Sequence, residues 1–358
     1  MQSNNSGQNH ESFIDWMKAA GMILILTGHV FGSPYVLFNS VTAPIYSKQL
    51  GVAFFIFIAG WGLAHNQRDR ADTAYRRLFD ILFFGVIFAV FMSAVTWVQT
   101  KDLAESNYLP LMFGANVFFN YFPANPTTWY IGMYTQLIVL WWWLVPQRVS
   151  LWMLPAALAI EIAVRALVLE ADRAFTAYML VSNWVSVFLL GFLLAAWRDR
   201  RRPFVGLTLL VMWIGVLLLW NSGHEVMAFD GSFPTRFGES GELSPWLVSA
   251  LVSVMYLVNT AFAFFVFRCF RAPAPVRFIA RHTLFVFILH MPLIYASADW
   301  VYSASSVPLL SRSLMIVFVL ITLALLSAVV HRLLPVSLIR DALWKRLKHL
   351  RQQALAGV

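Results

Sequence analysis

Ten apolar runs divide this chain of 358 residues, and each is close to the roughly 17–25 residues that a helix needs to cross about 30 Å of hydrocarbon. They cover residues 13–31, 50–65, 78–98, 128–145, 151–169, 179–197, 203–220, 246–267, 283–298 and 313–334. Backbone N–H and C=O groups cannot go unpaired in lipid, so each run is predicted to be a helix. A β-barrel would show alternating strands of about ten residues, and the sequence has none. Composition points the same way: 60% of the residues are hydrophobic and only 12% are charged. A typical soluble domain carries about 25% charge, too much to reconcile with a mean hydropathy of +0.69. A water-soluble enzyme, a disordered chain and a secreted disulfide scaffold are thereby excluded. The lone cysteine, Cys269, allows no intramolecular disulfide and no cysteine metal site. The expected fold class is all-α, a polytopic membrane bundle of about ten helices.

Charge sets the orientation. Cytoplasmic loops of membrane proteins are rich in Lys and Arg. With the N-terminus inside, 20 of the 26 Lys and Arg fall on inner segments, five (Lys48, Lys101, Arg173, Arg236 and Arg312) fall outside, and Arg165 lies within a run. Both termini are therefore predicted to be cytoplasmic, and the net charge of +9 is read as this bias rather than as a nucleic-acid surface. Residues 1–12 read as a polar tail with no Lys or Arg, unlike a cleavable signal peptide. Residues 13–334 form the transmembrane unit. Residues 335–358 carry Ile339, Leu343, Leu347 and Leu350 at helical spacing among Arg340, Lys345, Arg346, Lys348 and Arg351, the pattern of an amphipathic helix on an anionic surface. The outer loops over 100–127 and 222–245 are long enough to be either solvated connectors or an acceptor-binding surface.

Polar groups within such runs cost at least ~2.5 kcal/mol each, so each needs a reason. In the first run Lys18 and His29 are eleven residues apart. At about 100° per residue that puts them on one helix face, about 16 Å apart along the axis. Asp15 can reach Lys18 at i, i+3. Two readings of His29 stand: a core histidine bonded to a neighbouring helix, or a general base in a water-filled cavity. Lys18 and Asp15 could equally be interfacial anchors. The ninth run holds His282 at its mouth and His290 in its middle, beside the helix-bending Pro292. Glu161 and Arg165, at i, i+4, read as a structural ion pair or as polar groups facing a cavity. Arg76, Arg77 and Asp80 can pair locally at the inner surface. No close histidine pair such as H-x-x-x-H occurs, so no metal is expected.

The run Ile14-Asp15-Trp16-Met17-Lys18, followed after ten intervening positions by His29, resembles the opening span of the integral-membrane acyltransferase 3 family. Four further elements fit in order: Phe54 to Gly60, Arg76-Arg77, Trp129-Tyr130-Ile131, and Ile288-Leu289-His290-Met291-Pro292. Ala59 stands where the family usually has Ser, and its Arg-x-x-Arg pattern is not literally present. The resemblance implies an O-acyltransferase of a bacterial plasma membrane. It would move an acyl group, commonly acetyl, from cytoplasmic acetyl-CoA or another acyl-CoA to a hydroxyl of a cell-surface or periplasmic carbohydrate. On that expectation His29, Lys18 and Asp15 are the catalytic candidates. Arg68, Arg70, Arg76 and Arg77 would meet the CoA phosphates. His290, Trp129, Glu161 and Arg165 would line the substrate cavity. The partners are the acyl-CoA donor, the carbohydrate acceptor and the bilayer, with no metal and no nucleic acid. His29 would either take the hydroxyl proton or be acylated itself and relay the group. The rival class is a transporter or flippase for a glycan or lipid-linked precursor, in which the same buried groups would form a substrate pathway.

Overall fold

The computed structural model describes residues 11–31, 48–101, 108–122, 127–146, 149–196, 203–221 and 243–356. Among these residues there is no strand. The helices are α1 (Ser12–Val30), α2 (Lys48–Ala64), α3 (Arg70–Thr100), a single turn α4 (Leu109–Met112), α5 (Thr128–Leu144), α6 (Met153–Glu170), a short α7 (Ala174–Met179), α8 (Val185–Ala196), α9 (Pro203–Asn221), α10 (Pro245–Phe267), α11 (Ala274–Ser303), α12 (Pro308–Leu333) and α13 (Val336–Ala356). Each apolar run falls on helix. By length and composition α1, α3, α10, α11 and α12 suffice to cross a membrane, while α2 and the stretch Val181–Ala196 are shorter apolar helices.

Several boundaries differ from the apolar runs for local reasons. Asp69 caps α3, its carboxylate accepting from the amides of Ala71 and Asp72 at 3.0 and 3.3 Å. The helix therefore starts at Arg70 and carries Arg76, Arg77 and Asp80 on its first three turns. The run over 179–197 is composite: α7 ends at Met179, a 3₁₀ turn spans Val181–Trp184, and α8 follows. Asp80 pairs with Arg340 of α13 at 2.9 Å, and Arg76 bonds Asp72 and Asp341 at 3.1 and 2.7 Å, so the expected local pairing is replaced. An acid four residues ahead of a base is the better helical order, which favours Asp72–Arg76 over Arg76–Asp80. Arg148, residues 198–202 and most of the second long loop (222–242) lie outside the described residues.

α1 sits at the centre, packed on α2 and α11 and touching α10 and α12. α2 in turn packs on α8, α6 on α10 and α8, and α5 and α13 on α3. Glycines set the tightest approaches. A β-carbon on Gly51 would run into the Gly21 carbonyl, one on Gly60 into the Phe188 carbonyl, and one on Gly191 into the Phe57 carbonyl. Lipid tails are as apolar as leucine, so helices in a membrane gain cohesion by close backbone approach at small residues. These contacts fix α1, α2 and α8 at one height, and with them every side chain that α1 and α2 direct at the site. Gly60→Ala should therefore cost about 1–3 kcal/mol of overpacking and lower the melting temperature of the purified protein. Gly215→Ala, with nothing within 4 Å of the added carbon, should not. Equal melting curves for the two variants would refute this packing argument.

Candidate active site

The sequence places two polar poles on α1, and the structure gives each its own surroundings. His29 is half-buried at the C-terminal end of the helix and opens onto a cavity of about 340 Å³, within the range of small-molecule sites. Lys48, Trp129, Tyr178, Phe287 and His290 are among its walls. The rings of His29 and His290 are 5.0 Å apart between centroids, with planes at 50°. Lys48 lies within electrostatic range of both imidazoles. Among the described residues no carboxylate lines the cavity, and no three of His, Cys, Asp and Glu gather to hold a metal ion.

Pro292 interrupts the helical hydrogen bonding beside His290. In an α-helix the N–H of residue i bonds the carbonyl of i−4, but Pro292 has no N–H to offer Ile288. The Thr127 hydroxyl donates to that carbonyl instead, at 3.0 Å, and pins the start of α5 to α11 about half a turn from His290. His290 itself is 1% exposed, and its Nδ1 lies 2.7 Å from the Phe287 carbonyl. A carbonyl only accepts, so Nδ1 carries the proton of the neutral ring and Nε2 presents a lone pair. Nε2 is buried and has no hydrogen-bond partner among the described residues.

The other pole of α1 belongs to a second cluster. Lys18 is half-buried, within electrostatic range of Asp15 on its own helix and of Arg77 on α3. Asp15 is 5% exposed. Arg77 hydrogen-bonds Tyr134, and its guanidinium fills the room left by Gly62, where a β-carbon would sit 2.7 Å from Nη2. An aromatic ladder joins the two clusters. Tyr134 stacks on Tyr130 at 5.9 Å, Tyr130 meets Phe287 at 4.5 Å, and Phe287 meets His290 at 5.9 Å.

The remaining arginines differ in what holds them. Arg70 donates to the carbonyls of Trp142 and Val145 at 2.9 and 2.8 Å and lies over the Trp141 ring, which ties α3 to the end of α5. Arg76 is held by Asp72 and Asp341. Arg68 is exposed. Arg77 alone of the four points at Lys18.

Glu161 and Arg165 sit outside the cavity wall, fully buried and 2.6 Å apart. Arg165 also bonds Asn183 Oδ1 at 2.6 Å, the Ser249 carbonyl at 2.6 Å and Ser253 Oγ at 2.7 Å. Glu161 accepts from the Ser186 amide at 3.0 Å and from Ser253 at 2.6 Å. Asn183 and Trp184 then both donate to the Tyr178 carbonyl at 3.1 Å. The pair thus braces Tyr178 from behind rather than meeting the cavity. Sequence reasoning missed this bracing set, along with Tyr134 and Lys48 as members of the two clusters. Lys48 had a signal: between Lys18 and Arg68 it is the only charged residue.

Together these features define a multi-pass helical membrane protein with two polar clusters joined by aromatic rings. The particular family follows from comparison. The chain matches the acyltransferase 3 family, described as an acyltransferase domain, over residues 11–332, and it belongs to that family. No curated protein and no solved structure matches it.

Removing one partner of a buried ion pair strands the other charge, at about 3–5 kcal/mol, whereas replacing both by apolar residues is often near neutral. Glu161→Leu should therefore unfold the purified protein at a much lower temperature, and Arg165→Met added to it should recover part of the loss. A single variant as stable as the parent would show that the pair braces nothing.

Proposed function

We propose that this protein is an O-acyltransferase, moving an acyl group, acetyl by preference, from cytoplasmic acyl-CoA to a hydroxyl of a carbohydrate at the outer face of a bacterial plasma membrane. The observation that carries the reading is the pair of imidazoles, His29 beside an unpartnered His290 Nε2, in a ligand-sized cavity of a chain that belongs to an acyltransferase family. All ten apolar segments would cross, with the N-terminus inside. The cavity then lies between the outer ends of α1, α2 and α5, and the Lys18–Arg77 cluster lies toward the cytoplasm.

The chemistry divides along the same line. Arg77 and Lys18 meet the donor on the inner side, with exposed Arg68 as a further cation for the CoA phosphates. The extended pantetheine arm runs along the aromatic ladder and delivers the thioester to the cavity. His29 takes the proton of the acceptor hydroxyl as its oxygen attacks the thioester carbonyl. The C–O bond forms, the C–S bond breaks, and the CoA thiolate recovers the proton from the imidazolium. His290 Nε2 accepts a hydrogen bond from an acceptor hydroxyl and holds the sugar in place. Bringing donor and acceptor to one histidine lowers the entropic barrier, and a positioned base typically adds 10²- to 10⁴-fold.

Labelled acetyl-CoA supplied to permeabilised cells should give base-labile label in glycan, and His29→Ala at equal membrane abundance should lose at least about a hundredfold. Equal label in both would remove His29 from the mechanism, and a transporter would form no ester at all. Loss of one charged contact is worth about 1.5–3 kcal/mol. Arg77→Ala should thus raise the donor KM about tenfold or more, while Arg76→Ala, whose partners are Asp72 and Asp341, should act on stability. An unchanged donor KM in Arg77→Ala would sink the assignment of the inner cluster.

A further inference from the structure

The last helix offers a surface that acyl transfer does not use. α13 follows α12 after a short turn at Leu334 and Pro335, and it is held side-on against α3. Arg340 bonds Asp80 at 2.9 Å, Asp341 bonds Arg76 at 2.7 Å, the Arg340 carbonyl accepts from Tyr75 at 2.9 Å, and Trp344 stacks on Tyr75 at 4.6 Å. These contacts occupy one side of the helix and fix its rotation. At about 100° per residue, Leu343, Leu347 and Leu350 fall within about 60° of one another, on a face turned about 100° from the docked side. All three leucines are exposed, at 43%, 48% and 52%. Arg346 is exposed at the edge of this stripe, while Lys345 and Lys348 are exposed on other sides of the helix, Lys348 over the Trp344 ring at 5.2 Å. No Asp or Glu follows Asp341 in the sequence.

We propose that this face of α13 docks on the anionic phospholipid of the inner leaflet. The leucines enter the boundary between headgroups and acyl chains, and Arg346 at the edge of the stripe meets lipid phosphates. Charge complementarity selects this occupant. An apolar stripe with a cation at its edge, on a stretch of helix that carries basic residues and no acidic one, matches a surface that is apolar within and negative at its rim. Continuity supports it, because Leu325, Val329 and Leu333 carry the exposed apolar surface of α12 down to the turn at which α13 begins. The ion pairs to α3 keep the stripe facing the leaflet rather than the bundle. The assignment to the inner leaflet rests on the orientation proposed above.

The test uses the full chain with Cys269→Ser and Leu347→Cys, spin-labelled and reconstituted in nanodiscs of phosphatidylcholine with or without phosphatidylglycerol. With phosphatidylglycerol the label should gain accessibility to oxygen and lose accessibility to a water-soluble nickel chelate. Arg346→Glu should reverse much of that shift. A label equally open to the chelate in both lipids overturns the proposal. So does dipolar broadening between labels, which would show a second copy of the chain on this face. If the thiol introduced by Leu347→Cys reacted with an impermeant maleimide from the outer side alone, the inner-leaflet assignment would be overturned. That failure is distinguishable, because the depth measurement does not depend on sidedness.

Discussion

A polar group in hydrocarbon must be paired, hydrated or put to use, and the whole arrangement of this protein follows from that cost. The buried guanidinium of Arg165 is wrapped by five oxygen contacts. The carbonyl that Pro292 leaves without a donor is taken by Thr127. Several buried polar atoms lack a partner among the described residues, and of these His290 Nε2 is the one that belongs to the cavity wall. Its position beside His29 is what singles this cavity out as the candidate site.

The two clusters on α1 show how one helix can carry two separate polar groups. Its axial length separates Lys18 from His29, while its periodicity keeps them on one face. Between them run the rings of Tyr134, Tyr130 and Phe287 rather than charged side chains. Aromatic rings are amphipathic enough to border a polar substrate and apolar enough to sit in the bundle. On the proposed function, such a surface would let the donor's acyl-bearing arm pass without meeting a charge that lipid would penalise.

The helical fold was legible because hydrocarbon imposes a length and a composition on whatever crosses it. His29 and Lys18 were legible because a histidine and a lysine on one apolar face are conspicuous. The partners of the arginines were not. Arg70, Arg76 and Arg77 look alike along the chain, and what separates them are carbonyls 72 and 75 residues away, an aspartate on α13, 265 residues further along, and a tyrosine on α5. The bracing of Tyr178 was illegible for the same reason, since it joins α6, the 3₁₀ turn and α10. Lys48 was readable in principle, but a cation at a loop boundary looks like topology until the cavity behind it is seen.

Arg70 also bears on how the chain is made. It is synthesised well before the carbonyls of Trp142 and Val145 that it bonds. Those two hydrogen bonds bring the end of α5 to the start of α3 and close a loop of 72 residues. Because the entropic cost of closure grows only slowly with loop length, so distant a contact costs little more than a nearer one, but it can form only once the chain has been made as far as Val145.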